Sequence, residues 1–198
     1  KNKNFILLSI CIPTYNRPHH LENCLNSILI SKKNCKELFL EVCISDNGSK
    51  HNIRKIISKF SKKLNIKFNK FKRNLGITPN FLKVVDMASG EFVWTIGNDD
   101  LLLPNSLVKI YKLLNKYKKT DYFFINSYNL RSDYLDKFKH PFSTYNLPKT
   151  MERFSKLKKS KSTNFWSLID PEVSFDFLLG MFFSLFRRKL WNDNVKFI

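Results

Sequence analysis

Apolar residues along this chain fall into short continuous runs that alternate with stretches of helical spacing. Residues 7–12 (Leu-Leu-Ser-Ile-Cys-Ile) form a run of strand length, stopped by Pro13-Thr14-Tyr15-Asn16-Arg17-Pro18. Leu21, Cys24, Leu25, Ile28 and Leu29 then recur three and four apart, predicting an amphipathic helix to about Ser31. A second run, 38–45, ends in the turn residues Asp46-Asn47-Gly48-Ser49. Ile53, Ile56, Ile57 and Phe60 mark another helix face, and 66–68 a short third strand. After Arg73-Asn74-Leu75-Gly76, Pro79 fits the start of a helix to Ala88, which Ser89-Gly90 closes because glycine supplies a C-terminal cap. Residues 92–96 (Phe-Val-Trp-Thr-Ile) read as a buried strand that ends in Gly97-Asn98-Asp99-Asp100. A helix over 105–116 follows Pro104, and 122–125 reads as a further strand.

Strand and helix in alternation predict a parallel sheet built from βαβ units. The pattern weakens after about Ser127. Residues 129–161 are polar and rich in turn formers, with a short helix expected over 151–157 and the most basic patch at 156–161. Apolar order returns over 175–186 and is followed by Arg187-Arg188-Lys189. The expected organisation is one domain: an α/β half over 1–128 and a less regular region over 129–198.

Charge narrows the partners. With 35 Lys and Arg against 16 Asp and Glu, the formal net charge is +19. Such a field favours nucleotides, phospholipid headgroups, polyprenyl phosphates or nucleic acid. The bland alternative is a lysine-rich composition with solvated side chains. The sequence contains no nucleic-acid-binding motif and outlines no single basic face, which disfavours a basic nucleic-acid-binding module. Cys11, Cys24, Cys35 and Cys43 form no C-x-x-C pair and lack zinc-site spacing. They are expected to be buried free thiols, which suits a reducing cytoplasm. There is no secretory signal pattern, and a first residue of Lys1 suggests a fragment. The longest apolar run, 177–186, is broken by Gly180 and Ser184 and falls short of the ~20 residues that span a bilayer, so it reads as core. The expectation is a cytoplasmic protein, peripheral on the inner face of an anionic membrane.

In a parallel sheet, Thr14-Tyr15-Asn16-Arg17, Asp46-Asn47-Gly48-Ser49 and Asn98-Asp99-Asp100 all leave strands at one edge, where open α/β sheets bind ligands. An aromatic ring, a carboxylate and an Asp pair beside helix N-termini suit a nucleoside diphosphate. Paired Asp residues can hold a hard divalent cation. They can equally cap the helix that follows. No G-x-G-x-x-G or P-loop lysine motif is present. His19 and His20 read as exposed first-turn residues rather than metal ligands. Arg187-Arg188-Lys189 either grips a phosphate or starts a solvated helix.

Four ordered blocks carry a resemblance. They are Leu8-Ser9-Ile10-Cys11-Ile12-Pro13-Thr14-Tyr15-Asn16-Arg17, Val42-Cys43-Ile44-Ser45-Asp46-Asn47-Gly48-Ser49, Asn74-Leu75-Gly76 with Ala88-Ser89-Gly90-Glu91-Phe92-Val93, and Gly97-Asn98-Asp99-Asp100-Leu101-Leu102-Leu103-Pro104. Together they resemble family-2 glycosyltransferases, including the abequosyltransferase-like bacterial subset. The resemblance implies a GT-A fold: a Rossmann-like, mostly parallel sheet flanked by helices, with a less regular C-terminal acceptor-side region. It implies a metal-dependent, inverting transfer of sugar from a nucleoside-diphosphate donor, UDP-sugar first and CDP-sugar as the alternative. The acceptor would be a glycan or polyprenyl-linked molecule in bacterial surface polysaccharide synthesis.

By the same resemblance, Pro13, Thr14 and Tyr15 line the base pocket and Asp46 accepts from the base. Asn98 belongs to the donor-binding turn, Asp99 reaches the ribose or sugar, and Asp100 ligates Mn²⁺ or Mg²⁺. Gly97 departs from the family pattern, in which many members carry a first Asp. The candidates for the base that deprotonates the acceptor are Asp170, Glu172, Asp176 and Asp193, each of which also reads as a surface or capping carboxylate. A base beyond Ile198 is the further expectation, and with it a catalytically incomplete GT-A domain that binds nucleotide or serves as scaffold within a larger protein.

Overall fold

A computed structural model describes residues 5–155, 159–160, 162–164 and 181–194. Its centre is β1 (Leu8–Thr14), with Leu8, Ile10, Cys11 and Ile12 fully buried. A strand covered on both faces needs apolar residues at successive positions, which is why it reads as a continuous run. It pairs in parallel with β2 (Leu40–Asp46) on one side and β4 (Phe92–Thr95) on the other, and β3 (Ile66–Lys70) extends β2 in parallel at the edge. The strand order is β3-β2-β1-β4-β6-β5, where β6 (Ser184–Arg187) runs antiparallel to both β4 and β5 (Tyr122–Phe124). The sheet is therefore mostly parallel, with one reversed strand inside a phenylalanine-rich stretch whose period did not reveal it.

Side chains alternate across the sheet, as pleating requires. Ile10, Ile12, Val42, Ile44, Phe92 and Trp94 face α1 (Pro18–Lys33), α2 (Ile53–Ser58) and α4 (Ser106–Lys116). Cys11, Cys43 and Val93 face α3 (Ile77–Asp86) through Val84 and Val85. The last helix, α5 (Arg188–Asn194), joins that second layer: Trp191 packs on Phe81 and Phe186, and its indole N–H donates to Asp86 at 2.9 Å. All four cysteines are buried and free.

One expectation changes and one open alternative is decided. No helix forms over 151–155. Phe154 N–H donates to Ser127 O, Asn129 N–H to Glu152 O, and Arg153 bridges antiparallel to Tyr128, so the backbone is bonded to a neighbouring segment instead of to itself. Residues 156–158 lie outside the described residues. Of the two readings of Arg187-Arg188-Lys189, the helix start holds: Arg187 ends β6 and Arg188 opens α5. Arg187 reaches Glu91, Asp121 at 2.9 Å and Lys118 O at 2.7 Å, with its guanidinium 4.5 Å from the Phe92 ring centre. Arg188 donates to Gly90 O at 2.8 Å, and Lys189 pairs with Asp193 at 2.6 Å. Because β6 is antiparallel, Arg187 sits opposite Phe92 at the amino end of β4, away from the edge that carries the Asp pair.

One buried carboxylate joins three strands. Glu41 in β2 is fully buried and accepts from Ser9 Oγ at 2.7 Å, Ser89 N–H at 2.6 Å and Lys67 Nζ at 3.0 Å. Ser9 Oγ in turn accepts from Gly90 N–H at 2.8 Å, and a β-carbon on Gly90 would lie 2.8 Å from Ser9 N. The turn that launches β4 is thereby held against β1. Burial alone would raise the pKa of Glu41, but the hydrogen bonds from Ser9, Ser89 and Lys67 outweigh it and hold the pKa below the ordinary value. A lowered folded pKa contributes stability above the unfolded pKa that is lost as pH falls. Glu41→Ala is expected to cost about 3 kcal/mol in urea unfolding, because buried donors lose their acceptor. Glu41→Gln should lack the part of the wild-type stability loss that occurs below about pH 4.

Candidate functional site

The parallel register decides what meets at the carboxyl edge. Thr14 is the partner of Asp46 at the ends of β1 and β2. The chain after β4 continues alongside β1: Ile96 N–H donates to Cys11 O at 3.0 Å, and Asn98 Nδ2 donates to Thr14 Oγ1 at 2.8 Å. Thr14, Asp46 and Asn98 thus form one contiguous, buried group.

Asparagines tie the loops together. Asn16 adopts φ 52°, a left-handed conformation that asparagine tolerates better than most residues. There its N–H donates to Ser49 Oγ at 2.8 Å, and its Oδ1 accepts from Lys50 N–H at 2.9 Å. Asn47 N–H donates to Thr14 O. The Asn47 side chain donates to Asn74 Oδ1 and Gly76 O, both at 2.7 Å, and accepts from Leu75 N–H at 2.9 Å. Between them Gly48 has φ +79°, and a β-carbon there would lie 2.6 Å from the Arg73 carbonyl carbon. The sequence showed these residues as turn formers and as members of the motif blocks, without the hydrogen bonds that join them.

Asp46 is fully buried. Its Oδ1 accepts from Ser49 N–H at 2.9 Å, while Oδ2 lies 3.6 Å from Lys70 Nζ and has no hydrogen-bond partner. A buried carboxylate oxygen with unused lone pairs suits a ligand N–H. Tyr15 is exposed and Pro13 half-buried beside it.

The Asp pair occupies a β-turn closed by Asp100 N–H to Gly97 O at 3.2 Å. Gly97 N–H donates back to Asp100 Oδ2 at 2.6 Å. A β-carbon on Gly97 would lie 2.7 Å from Asp99 Oδ1 and 3.1 Å from Asp100 Oδ2, so both carboxylates fold over the space that a side chain at 97 would need. Asp99 pairs with Arg17 at 2.7 Å on the surface. Burial pushes Asp100 up to about 6; the Gly97 N–H partly offsets this, and the neighbouring Asp99 charge adds to it. Behind the turn, Cys24 Sγ lies 3.8 Å from Gly97 O, and burial, then Asp100 and Asp99, push its thiol well above the usual range.

The helix-capping alternative for these Asp residues fails. The cap residue of α4 is Asn105, which makes no side-chain cap bond, and residues 101–104 separate it from the pair. Among the described residues no three His, Cys, Asp or Glu side chains gather as a metal cluster. The donor set fits a different kind of site. Mg²⁺-like ions use one or two carboxylates and complete their shell with substrate phosphates and water. A carboxylate whose charge is disfavoured until a cation arrives suits that role.

Beyond the Asp pair opens a cavity of about 520 Å³, lined by Trp94, Ile96, Leu102, Ile125, Phe154 and Phe183, with His20, Asn126 and Ser127 among its polar groups. The buried Trp94 indole N–H has no hydrogen-bond partner. Part of the wall comes from the excursion after β5. That excursion is anchored on α1, where Asn26 donates to Phe142 O and Asn23 accepts from Phe142 N–H. His19 is exposed, its ring 5.1 Å from that of His140. Of the base candidates, Asp170, Glu172 and Asp176 lie outside the described residues. Asp193 is an exposed partner of Lys189 and does not line the cavity.

Gly48→Ala is expected to cost roughly 2–4 kcal/mol in denaturant unfolding, from positive φ and the clash with Arg73 together. Because the folded pKa of Asp100 is raised, stability should fall as pH rises through about 6. Asp100→Asn should flatten that dependence and make the metal-free protein more stable at pH 7, as read by thermal unfolding across pH.

A family profile described as Glycosyl transferase family 2 matches residues 9–186. The abequosyltransferase RfbV of Salmonella typhimurium is 41% identical over 104 residues, covering 52% of this chain and 31% of that protein. An uncharacterized glycosyltransferase of Mycoplasma genitalium, MG060, is 32% identical over 115 residues, covering 56% of this chain and 38% of that protein. Among solved structures, S. aureus TarS 1–349 in complex with UDP-GlcNAc superposes with a TM-score of 0.70 at 20% identity, covering 96% of this chain and 47% of that one. The same TarS fragment in complex with UDP also gives 0.70, which makes the fold the expected GT-A arrangement. The chain spans about a third of the length of these curated relatives.

Proposed function

The chain belongs to glycosyl transferase family 2, and we propose that it is the donor-binding part of a metal-dependent, inverting glycosyltransferase that uses a UDP-sugar. The observation that carries this reading is the convergence of Thr14, Asp46 and Asn98 on one sheet edge, with Asp99 and Asp100 between them and an apolar cavity. Tyr15 and Pro13 would pack on the base. The Asp46 oxygen that lacks a hydrogen bond would accept a ring N–H, which uracil carries at N3, where cytosine has an acceptor nitrogen and offers only its exocyclic amine. Complexes of the TarS fold relative with UDP and UDP-GlcNAc support the same base.

Asp100 with Asp99 would hold Mn²⁺ or Mg²⁺. Such a cation supplies Lewis-acid neutralisation of the charge that develops on the diphosphate leaving group. Asp99 would exchange its Arg17 partner for the donor ribose or sugar. The cavity beyond would receive the acceptor, a glycan or polyprenyl-linked molecule, with its apolar face on Trp94 and Phe183. Inversion requires direct attack by an acceptor hydroxyl and a carboxylate to take its proton. Asp193, exposed and paired with Lys189, does not face the cavity, and a second reading has this stretch bind donor while the base comes from elsewhere in a longer polypeptide. Among the described residues no helix is long and apolar enough to cross a membrane.

Calorimetric titration with UDP, CDP and GDP, each with and without Mn²⁺, tests the proposal. UDP should bind at least about tenfold tighter than CDP and only with metal, which corresponds to about 1.4 kcal/mol. Asp100→Ala should abolish UDP binding even with Mn²⁺ present, and Asp46→Ala should remove the preference for uracil. Equal, metal-independent binding of all three nucleotides, weakened uniformly by salt, would overturn it.

A further inference from the structure

The cations of this chain are not evenly placed once it is folded. Between residues 47 and 85 there are eleven Lys and Arg and no Asp or Glu, which is more than half of the net charge of +19. Three of them pair with acids from elsewhere: Lys59 with Glu22, Lys67 with Glu41 and Lys70 with Asp46. The other eight have no ion-paired carboxylate among the described residues. The stretch folds as α2, the edge strand β3, the loop after it and most of α3; apart from Lys83 of α3, which packs on the other face, its charges gather around the β3 edge of the sheet. Arg54 of α2 lies 4.9 Å over the Phe68 ring of β3, which joins the two elements into one surface.

Apolar residues stand out on the same flank. Ile77 is 65% exposed and Leu75 40% exposed, next to the exposed Lys72 and Arg73. They are held there, because the Asn47 side chain clasps residues 74–76 and Gly48 packs under Arg73. A fixed apolar tip beside unpaired cations complements a surface that is anionic outside and apolar beneath. Among the described residues, the second lysine-rich element, α4 with Lys109, Lys112 and Lys116, carries no exposed large apolar residue of its own.

We propose that the α2–β3 flank, with Leu75 and Ile77 at its tip, docks on the headgroup layer of an anionic bilayer. A nucleic acid would use the charge but leave Leu75 and Ile77 unexplained. Docking there sets the donor-binding loops next to the bilayer, because the clasped loop is bonded to Asn47, the neighbour of Asp46. Binding needs no donor or metal, so the test is separate from that of the transferase reading.

The experiment is co-sedimentation with vesicles of phosphatidylcholine alone or with about a third phosphatidylglycerol, at physiological salt. The chain should partition onto the anionic vesicles only. Lys62→Ala with Lys63→Ala should weaken partitioning roughly tenfold or more, since each cation near an anionic surface contributes severalfold. Ile77→Ser should weaken it severalfold while leaving its salt dependence unchanged. Lys112→Ala with Lys116→Ala on α4 should have little effect. An equal loss from the α4 pair would show binding by net charge and overturn the assignment of this flank. Tighter binding to a DNA or RNA duplex than to anionic vesicles, unaffected by Ile77→Ser, would overturn the bilayer in favour of nucleic acid. Absence of partitioning onto either vesicle would overturn the proposal outright.

Discussion

Parallel pairing of β1 with both β2 and β4 is the constraint on which the rest of the structure depends. A central strand buried on both faces must be flanked by strands and covered by helices. Parallel neighbours connected through helices necessarily release their loops at the same edge. The register then fixes which residues meet, Thr14 beside Asp46 and Cys11 beside Thr95. Glu41, through Ser9, Ser89 and Lys67, ties β1 and β3 and the turn before β4 to β2. The chemistry at the carboxyl edge therefore rests in part on a carboxylate nearer the opposite end of the sheet.

The site itself departs from what stability alone would select. Asp46 keeps a buried oxygen without a hydrogen bond, Trp94 a buried indole N–H without an acceptor, and Asp100 a carboxylate in surroundings that disfavour its charge. Each such group costs free energy in the empty protein. A positive φ at Asn16 and Gly48, and the Gly97 N–H bonded to Asp100, hold these groups in place. The strain and the unsatisfied groups sit at one edge, where a ligand with donors and an associated cation would satisfy them.

Two chemically distinct surfaces meet at that edge. The Asp99–Asp100 turn is acidic and opens onto an apolar cavity, whereas the flank formed by α2 and β3 is strongly cationic and carries exposed Leu75 and Ile77. The Asn47 clasp is the physical link between them, since it bonds the loop after β3 to the turn after β2. A change in that clasp would move both surfaces together.

How much of this was legible in the sequence follows from the range of each interaction. Strand runs such as 7–12 and the helical spacing of Leu21, Cys24, Leu25 and Ile28 are local signals, and they determined the α/β alternation and the loops that carry Thr14, Asp46 and Asp99-Asp100. The order of four motif blocks determined the family. Strand β6 was not legible, because a short Phe-rich run carries no direction, and its insertion between β4 and β5 decided that it runs antiparallel to both. The absent helix over 151–155 was decided by bonds to residues 127 and 129 that no local propensity encodes. Tertiary packing also decided between readings that the sequence left open. It assigned Arg187 to Glu91 and Asp121 instead of a phosphate, freed Asp99 and Asp100 from helix capping, and paired Lys59, Lys67 and Lys70 with acids from other elements. Those outcomes depend on contacts between residues tens of positions apart, and charge or hydropathy read along a line has no access to that distance.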